Sequence, residues 1–457
     1  MALIIVAILL MAYLLIASAG LTKVSRAAVA IFAGTLCWVV YICYGTDFVM
    51  SQHPREYVDW LGGAVPTSRA VKGYIAQHVF LKHVGHASEI VLFLLATMTI
   101  VEILDNNGCF DFVRPLLRTR KSRRLLWVFT LVTLLISANL DNLTTTVMML
   151  AMMHAIITTR RQRMVFGSAI VIAANCGGAL TVIGDPAGLV AWNMGHVSAT
   201  SFSARMLPAC LVACFLPVWW IGRLLPERAD TESVIMPYRG DDTNLSVWQR
   251  LLMLFVGIGG LWFIPTFHNI TRLSPFLGAL CVLAVLWMVN EIFNRKLVSN
   301  ELMQGRRMPR LVQYGVIQTM LFVMGLMLAV GAVEETGAIQ WLIAKSGIYI
   351  EDVWLVGAVA GLVSALLDNF ATALTFFSLT PSAELNAPCW QIITYVSAVG
   401  GNMLCVGSMS GIALMRMERL HVGWYLRNVG WKAFVGLIAG FAVLYLEYQV
   451  FEVIEVM

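Results

Sequence analysis

Ser137-Ala-Asn-Leu-Asp141-Asn142-Leu-Thr-Thr-Thr146 is nearly spelled again, 227 positions later, as Ser364-Ala-Leu-Leu-Asp368-Asn369-Phe-Ala-Thr372. Both stretches read S-A-x-L-D-N-x-x-T, and both place an Asp-Asn pair inside apolar sequence. A carboxylate in such a setting is costly and is normally kept for a reason. Upstream, Leu92-Phe93 and Gly108 match Leu321-Phe322 and Gly337 at an offset of 229; downstream, Gly177-Gly178 and Gly184 match Gly400-Gly401 and Gly407 at an offset of 223. Three landmarks in one order, with only small insertions between them, read as an internal duplication.

The chain around these stretches is 457 residues long, 59% hydrophobic and 12% charged, with a net charge of +5. Soluble domains carry about twice that charged fraction. Mostly apolar runs long enough to cross a bilayer follow one another at about 2–20, 27–44, 86–104, 125–159, 164–195, 204–225, 247–267, 275–293, 312–333, 352–380, 389–415 and 428–450. Such runs predict an all-α polytopic membrane protein. The short alternating segments of a membrane β-barrel are absent. The positive charge is explained by loop placement, so nothing supports nucleic-acid binding. The nine cysteines include no C-x-x-C pair and read as small buried hydrophobes, with no disulfide framework. Residues 2–20 lack a basic region ahead of the apolar run and read as a retained first helix, not a cleaved leader.

Lysine and arginine mark the cytoplasmic side. One basic cluster holds Arg114, Arg118, Arg120, Lys121, Arg123 and Arg124, and the next holds Arg160, Arg161 and Arg163; Asp141 lies midway between them. A single crossing would put the clusters on opposite faces. A re-entrant hairpin over 125–159, turning near 138–142, keeps both inside, provided that its bent backbone is enclosed by protein or lines a wet cavity. The second copy, 352–380, has Lys345, Glu351 and Asp352 before it and Glu384 after it. That signature is exterior, so the second hairpin is expected to enter from outside. Lys23, Arg26, Arg295, Lys296, Arg306, Arg307, Arg310, Arg416 and Arg419 fall inside, and Glu447, Glu452 and Glu455 outside. The loop 226–246 mixes Arg228 and Arg239 with Glu227, Asp230, Glu232, Asp241 and Asp242 and fits poorly, though acidic residues weigh little. Ten crossings, two hairpins and inverted repeats result, a recurring plan of secondary transporters.

A glycine-broken helix follows each hairpin. The first, 164–195, is interrupted at Asn175–Pro186; the second, 389–415, at Ser397–Asn402 and Gly407–Gly411. The expected layout is 1–85 as N-terminal helices and exterior loop, 86–225 as repeat 1, 226–311 as linking loop and scaffold helices, and 312–457 as repeat 2. Broken helices free carbonyls that can coordinate cations, while half-helix N-termini attract anions.

The candidate ion-binding residues are Asp141, Asn142, Thr145, Asn175, Asp185, Ser364, Asp368, Asn369, Thr372 and Ser408, with Thr144, Thr181, Asn402 and Ser410 beside them. All are hard oxygen donors, suited to Na⁺ or Li⁺. Asp141, Asp185 and Asp368 are the candidate Na⁺ ligands. A buried carboxylate holds a proton or a cation and is penalised when it holds neither, and that competition is the basis of proton-coupled exchange. Each residue also has a plainer role. The aspartates can cap helices at the turns, the asparagines can be struts, and the threonines can bond back into their own helices. His154, Glu102 and Asp105 fit packing or solvated positions better than a proton relay. No zinc site, Walker A sequence or catalytic triad is visible, so neither primary pumping nor an enzyme is expected, and no cofactor is implied. A channel is disfavoured by unpaired acids on inverted hairpins.

At Ser137–Thr146, Asn175–Asp185, Ser364–Thr372, Gly400–Gly411 and the helix Glu89–Asp105, the chain resembles the NhaD-type sodium/proton antiporters. These belong to an ion-transporter superfamily that also holds arsenite permeases and sodium/dicarboxylate carriers. The resemblance runs from about residue 85 to 445. It implies a homodimer, an elevator-like transport domain against a scaffold, and ion-site roles for Asp141, Asn142, Asn175, Asp185, Ser364 and Asn369. One segment departs from the pattern: Asp185-Pro186-Ala187-Gly188 stands where NhaD proteins continue with threonines, and it looks more like the G-D-P segment of anion-permease relatives. The expectation is a multi-pass Na⁺(Li⁺)/H⁺ antiporter of a bacterial inner membrane, with an anion permease as the alternative. Asp141→Asn and Asp368→Asn are each expected to cut transport sharply without blocking insertion.

Overall fold

The computed structural model describes residues 1–22, 24–110, 113, 117, 119–231, 245–294, 314–339, 341, 352–379 and 384–456. Part of the orientation reading rests on Lys23, Arg114, Arg118, Glu232, Arg239, Asp241, Asp242, Arg295, Lys296, Arg306, Arg307, Arg310, Lys345 and Glu351, which lie outside the described residues.

The architecture is helical, as the apolar runs require. In chain order the helices are α1 (Ala2–Ala17), α2 (Arg26–Cys43), α3 (Gly45–Gln52), α4 (Pro54–Leu61), α5 (Ser68–Asn106), α6 (Ser122–Ser137), α7 (Asn142–Ile156), α8 (Arg160–Gly178) and α9 (Pro186–Asn193). There follow α10 (Ala199–Ile221), α11 (Val247–Thr271), α12 (Pro275–Phe293), α13 (Tyr314–Glu335), α14 (Val353–Ser364), α15 (Asn369–Phe377), α16 (Pro388–Gly400), α17 (Met409–Glu418) and α18 (Val422–Val450). Among the described residues, seven helices are long and apolar enough to cross a membrane: α2, α5, α10, α11, α12, α13 and α18. The shorter α1 and the two-piece helices α8–α9 and α16–α17 complete the set of apolar segments expected as crossings.

One boundary differs from expectation. The second of these long helices, α5, begins at Ser68, not near 86, and passes through a π-turn at Ile75–Phe80. Thr67 caps it, accepting from the Ala70 amide at 3.2 Å. Val71, Tyr74, Ile75 and Val79 are buried at helical spacing. An amphipathic extension of this kind leaves mean hydropathy low while still supplying a buried face.

The chain forms two units. The first comprises Met1–Val91, Tyr314–Val356 and Leu374–Ser382. Its axis is the pair α2 and α13. Gly34 and Gly325 let the two backbones meet: a Cβ on Gly325 would lie 2.4 Å from the Ile31 nitrogen, and one on Gly34 would lie 2.5 Å from the Gly325 carbonyl. Small residues at such contacts replace the hydrophobic drive that lipid removes. The Trp38 indole donates to the Leu328 carbonyl at 2.8 Å.

The second unit comprises Leu92–Gln313, Gly357–Ala373 and Ala383–Met457. At its centre is α8, buried from Val165 to Gly178 and packed by α6, α7, α10 and α17. The first hairpin is re-entrant, because both of its ends meet one strand-like segment. Arg120 and Ser122 bond to Ala229 and Glu227 at 2.9 and 3.1 Å, and the Thr158 amide donates to the Asp230 carbonyl at 3.1 Å. Lys121 bridges Arg228 and Ile157 bridges Thr231. Entry and exit therefore lie on one side, as the two basic clusters demanded.

The broken helices run head to tail. At the start of α8, Arg163 Nε donates to both oxygens of Glu418, the last residue of α17, at 2.9 and 3.0 Å. Just before α16 starts, the Asn386 amide donates to the His196 carbonyl at 2.7 Å, beyond the end of α9, and the His196 ring stacks on Trp390 at 3.9 Å. The repeats are thus inverted.

Candidate functional site

Each hairpin is fastened to its broken helix by the same device. The Ser137 hydroxyl donates to the Ala174 carbonyl at 2.7 Å, and Ser364 donates to the Ser397 carbonyl. In both cases the acceptor lies three residues before the Gly-Gly pair. A Cβ on Gly177 would sit 2.5 Å from the Leu134 carbonyl, and one on Gly400 would sit 2.5 Å from the Gly361 carbonyl. Gly184 and Gly407 in turn face the carbonyls of Ser137 and Ser364, each at 2.7 Å. Further out, Gly108 and Gly337 share a left-handed φ of 67°. Glycine serves where backbone must approach backbone or turn left-handed, so these matched glycines explain the sequence landmarks.

On this frame the polar side chains converge in the second unit. Asp185 caps α9: its Oδ1 accepts from the Ala187 amide at 2.9 Å. Its Oδ2 accepts from the side-chain amides of Asn142 at 2.9 Å and Asn369 at 2.6 Å. Asn142 and Asn369 are the first residues of α7 and α15, at the tips of the two hairpins. One carboxylate, 1% exposed, therefore joins both hairpins, and its donors are all neutral.

Asp141 and Asp368 turn back on their own helices. Asp141 Oδ2 accepts from the Thr144 amide at 3.0 Å and the Thr144 hydroxyl at 3.1 Å. Asp368 Oδ1 accepts from the Phe370 amide at 3.1 Å. Both are buried. Among the described residues no group of three His, Cys, Asp or Glu side chains is placed to hold one metal ion.

A second polar knot joins the broken helices. Asn175 Nδ2 donates to Asn402 Oδ1 at 2.9 Å and to Ser408 Oγ at 3.0 Å. Ser408 caps α17, accepting from the Gly411 amide at 3.1 Å, and the Ser410 hydroxyl donates to the Asn142 carbonyl at 3.3 Å. Asn175 Oδ1 and Thr145 Oγ1 are buried without a hydrogen bond. Both are oxygen atoms able to accept a cation, and buried polar atoms are rarely left in that state. Thr372 and Thr146 bond back to the carbonyls of Asp368 and Asn142, at 3.1 and 2.7 Å. Thr181 bridges inward to the Ala138 carbonyl at 2.5 Å.

His154 lies away from this centre. Its Nδ1 lies 2.9 Å from an oxygen of the buried Glu418 carboxylate, which Arg163 also binds, at the base of the first hairpin. Sequence reasoning had not paired Asn402 with Asn175. The available signal was its place directly after the Gly400-Gly401 pair.

The sequence matches the family described as CitMHS, citrate transporter, over residues 1–400. The chain belongs to the CitMHS family. Similar proteins include sodium/proton antiporter 2 of Arabidopsis thaliana, 30% identical over 389 residues, 83% of this chain and 89% of that one. Sodium/proton antiporter 1 of the same plant is 33% identical over 368 residues, 78% of this chain and 62% of that one. The Na⁺/H⁺ antiporter NhaD of Alkalimonas amylolytica is 26% identical over 414 residues, 83% of this chain and 82% of that one. The resemblance to NhaD-type antiporters is borne out. This CitMHS protein is a multi-pass membrane transport protein of the ion-transporter superfamily, and it is not an enzyme.

Proposed function

We propose that the protein exchanges Na⁺ or Li⁺ for H⁺ by alternating access, with Asp185 as the group at which the two ions compete. The observation that carries this reading is the occupation of the helix N-termini at the site. An anion carrier would offer such N-termini to its substrate. Here the N-termini of α7, α9 and α15 are each filled by a carboxylate of the protein: Asp141, Asp185 and Asp368. Only α17 is capped by a neutral group, Ser408. A further anion would meet carboxylates where it needs donors, whereas a small cation would find oxygen ligands of the right hardness.

In the cycle we propose, a cation draws the Asp185 oxygens away from the tip amides, and Asn142 and Asn369 then present their carbonyl oxygens instead. A proton on Asp185 substitutes for the cation on the return. Asn175 Oδ1 and Thr145 Oγ1 supply neutral ligands. An elevator-like displacement, a homodimer and a bacterial inner-membrane location complete the reading, supported by the resemblance to NhaD-type proteins.

The test uses purified protein in liposomes with an acidic interior and a pH-sensitive dye. Adding NaCl or LiCl should collapse the gradient, while KCl and choline chloride should not, and Asp185→Asn should remove the response. Gradient collapse on adding citrate or arsenite, with none on adding Na⁺ or Li⁺, would replace this reading with the anion permease.

A further inference from the structure

The last turn of α13 ends in two adjacent carboxylates, Glu334 and Glu335, that face different partners within the first unit. Glu335 Oε2 lies 2.6 Å from His53 Nε2, and Glu335 Oε1 lies 2.8 Å from His83 Nε2. The other ring nitrogen of His53, Nδ1, lies 3.1 Å from Glu56 Oε2, and that oxygen also accepts from the Tyr74 hydroxyl at 3.2 Å. Glu334 accepts from the hydroxyl of Ser378, one residue past α15. Four parts of the unit thus meet at one turn: α13, the α3–α4 segment, α5, and the outgoing arm of the second hairpin. The charge pattern assigns this face to the exterior.

An ionised carboxylate only accepts hydrogen bonds, and a neutral imidazole carries a single N–H. His83 offers one nitrogen to Glu335 and can satisfy it while neutral. His53 has a carboxylate on each ring nitrogen, so only its imidazolium satisfies both. Loss of that proton leaves a nitrogen lone pair facing a carboxylate oxygen, and one of the two bonds breaks.

We propose that His53 is a proton-binding switch, which closes a clasp between α3–α4 and the end of α13 when protonated and opens it as the exterior becomes alkaline. The groups facing it are Glu56 from the first turn of α4, which His53 precedes, Tyr74 and His83 from α5, and Glu335 from α13; Tyr41, Glu334 and Lys82 act on the same cluster. Its ligand is the proton itself, at a site separate from Asp185.

The hydrogen bond that His53 donates to Glu335 is the largest cause that holds the His53 proton to a pH above the ordinary histidine value, and burial opposes it. The sign follows from linkage. The clasp's contribution is complete below about pH 6.5, the ordinary value for histidine, and is lost as pH rises through the raised value in the folded protein.

Hydrogen–deuterium exchange on the full-length protein in lipid nanodiscs tests this without any transport readout. After correction for intrinsic rates, peptides covering 45–61 should exchange roughly tenfold faster at about pH 9 than at about pH 6, on either side of the histidine range. His53→Gln should exchange at the fast rate at both pH values. Glu56→Gln, on a side chain that is 73% exposed and so safe for folding, should shrink the pH step. His83→Gln should loosen the segment while keeping the step. No step in the wild type, or a step that survives His53→Gln, would overturn the proposal.

Discussion

The two broken helices are built alike and equipped differently. In repeat 1, Gly184 is followed by Asp185; in repeat 2, the matching Gly407 is followed by Ser408. Both residues cap the second half of their helix through a side-chain oxygen. Both lie beside glycines whose missing Cβ lets hairpin and helix close on each other. The duplication thus includes the hairpin aspartates Asp141 and Asp368, whereas the broken helices differ in carrying a carboxylate, Asp185, on one side only. Asp185 gathers an amide from each hairpin, while Ser408 receives Asn175 from the opposite repeat. The architecture tolerates symmetry, and on the function proposed above the ion chemistry uses the single carboxylate at the crossing point.

The comparison can be broken most directly by exchanging the unequal partners. Asp185→Asn should lower Na⁺-driven proton efflux roughly a hundredfold, the scale of about 3 kcal/mol for a lost buried charge contact. Ser408→Ala should cost less than about threefold, since Ser408 contributes one cap and one neutral bond. Equal losses would mean that the two halves share the chemistry. Next in size, Gly177→Ala and Gly400→Ala should each destabilise the protein by about 1–3 kcal/mol through overpacking against a carbonyl. The two effects should match within experimental error on a thermal-stability assay, and a large difference would end the claim of equivalent scaffolds.

Asn142→Ala and Asn369→Ala should each weaken apparent Na⁺ affinity about tenfold, the effect of one hydrogen bond to a charged group. A phenotype confined to one of them would show that Asp185 serves a single hairpin. The smallest effect belongs to Asp141→Asn and Asp368→Asn. Asparagine caps a helix about as well as aspartate, so as caps these changes should cost less than about threefold. A loss as severe as that of Asp185→Asn would show that both aspartates leave their caps to hold the ion, which the sequence alone led one to expect.

Much of this was legible from residues. The hairpin over 125–159 followed from two basic clusters that a single crossing would separate, and the bridges of Lys121 to Arg228 and of Ile157 to Thr231, which hold both ends to one segment, supply the physical reason. The duplication was visible because glycines at backbone contacts and serines fastened to carbonyls cannot drift without strain. What stayed hidden depends on tertiary convergence. All three aspartates were candidate ligands on paper, with Asp141 and Asp368 expected to be decisive; the folded chain separates Asp185, which accepts an amide from each hairpin tip, from Asp141 and Asp368, which accept from backbone amides of their own helices. The start of α5 at Ser68 was missed because an amphipathic turn carries little total hydropathy. Nothing in the sequence could join His53 to Glu335, which lie 282 residues apart.

The exchange of amides between repeats also speaks to ancestry. Asn369 of the second half completes the carboxylate of the first, and Asn175 of the first half completes the cap of the second. Neither half could assemble its own centre alone. A single-repeat forerunner would have needed a copy of itself inserted upside down in the same bilayer, and a gene for such a protein gains a fixed one-to-one pairing by fusion. Once fused, the two copies no longer had to be identical, and one now carries a carboxylate where the other carries a serine.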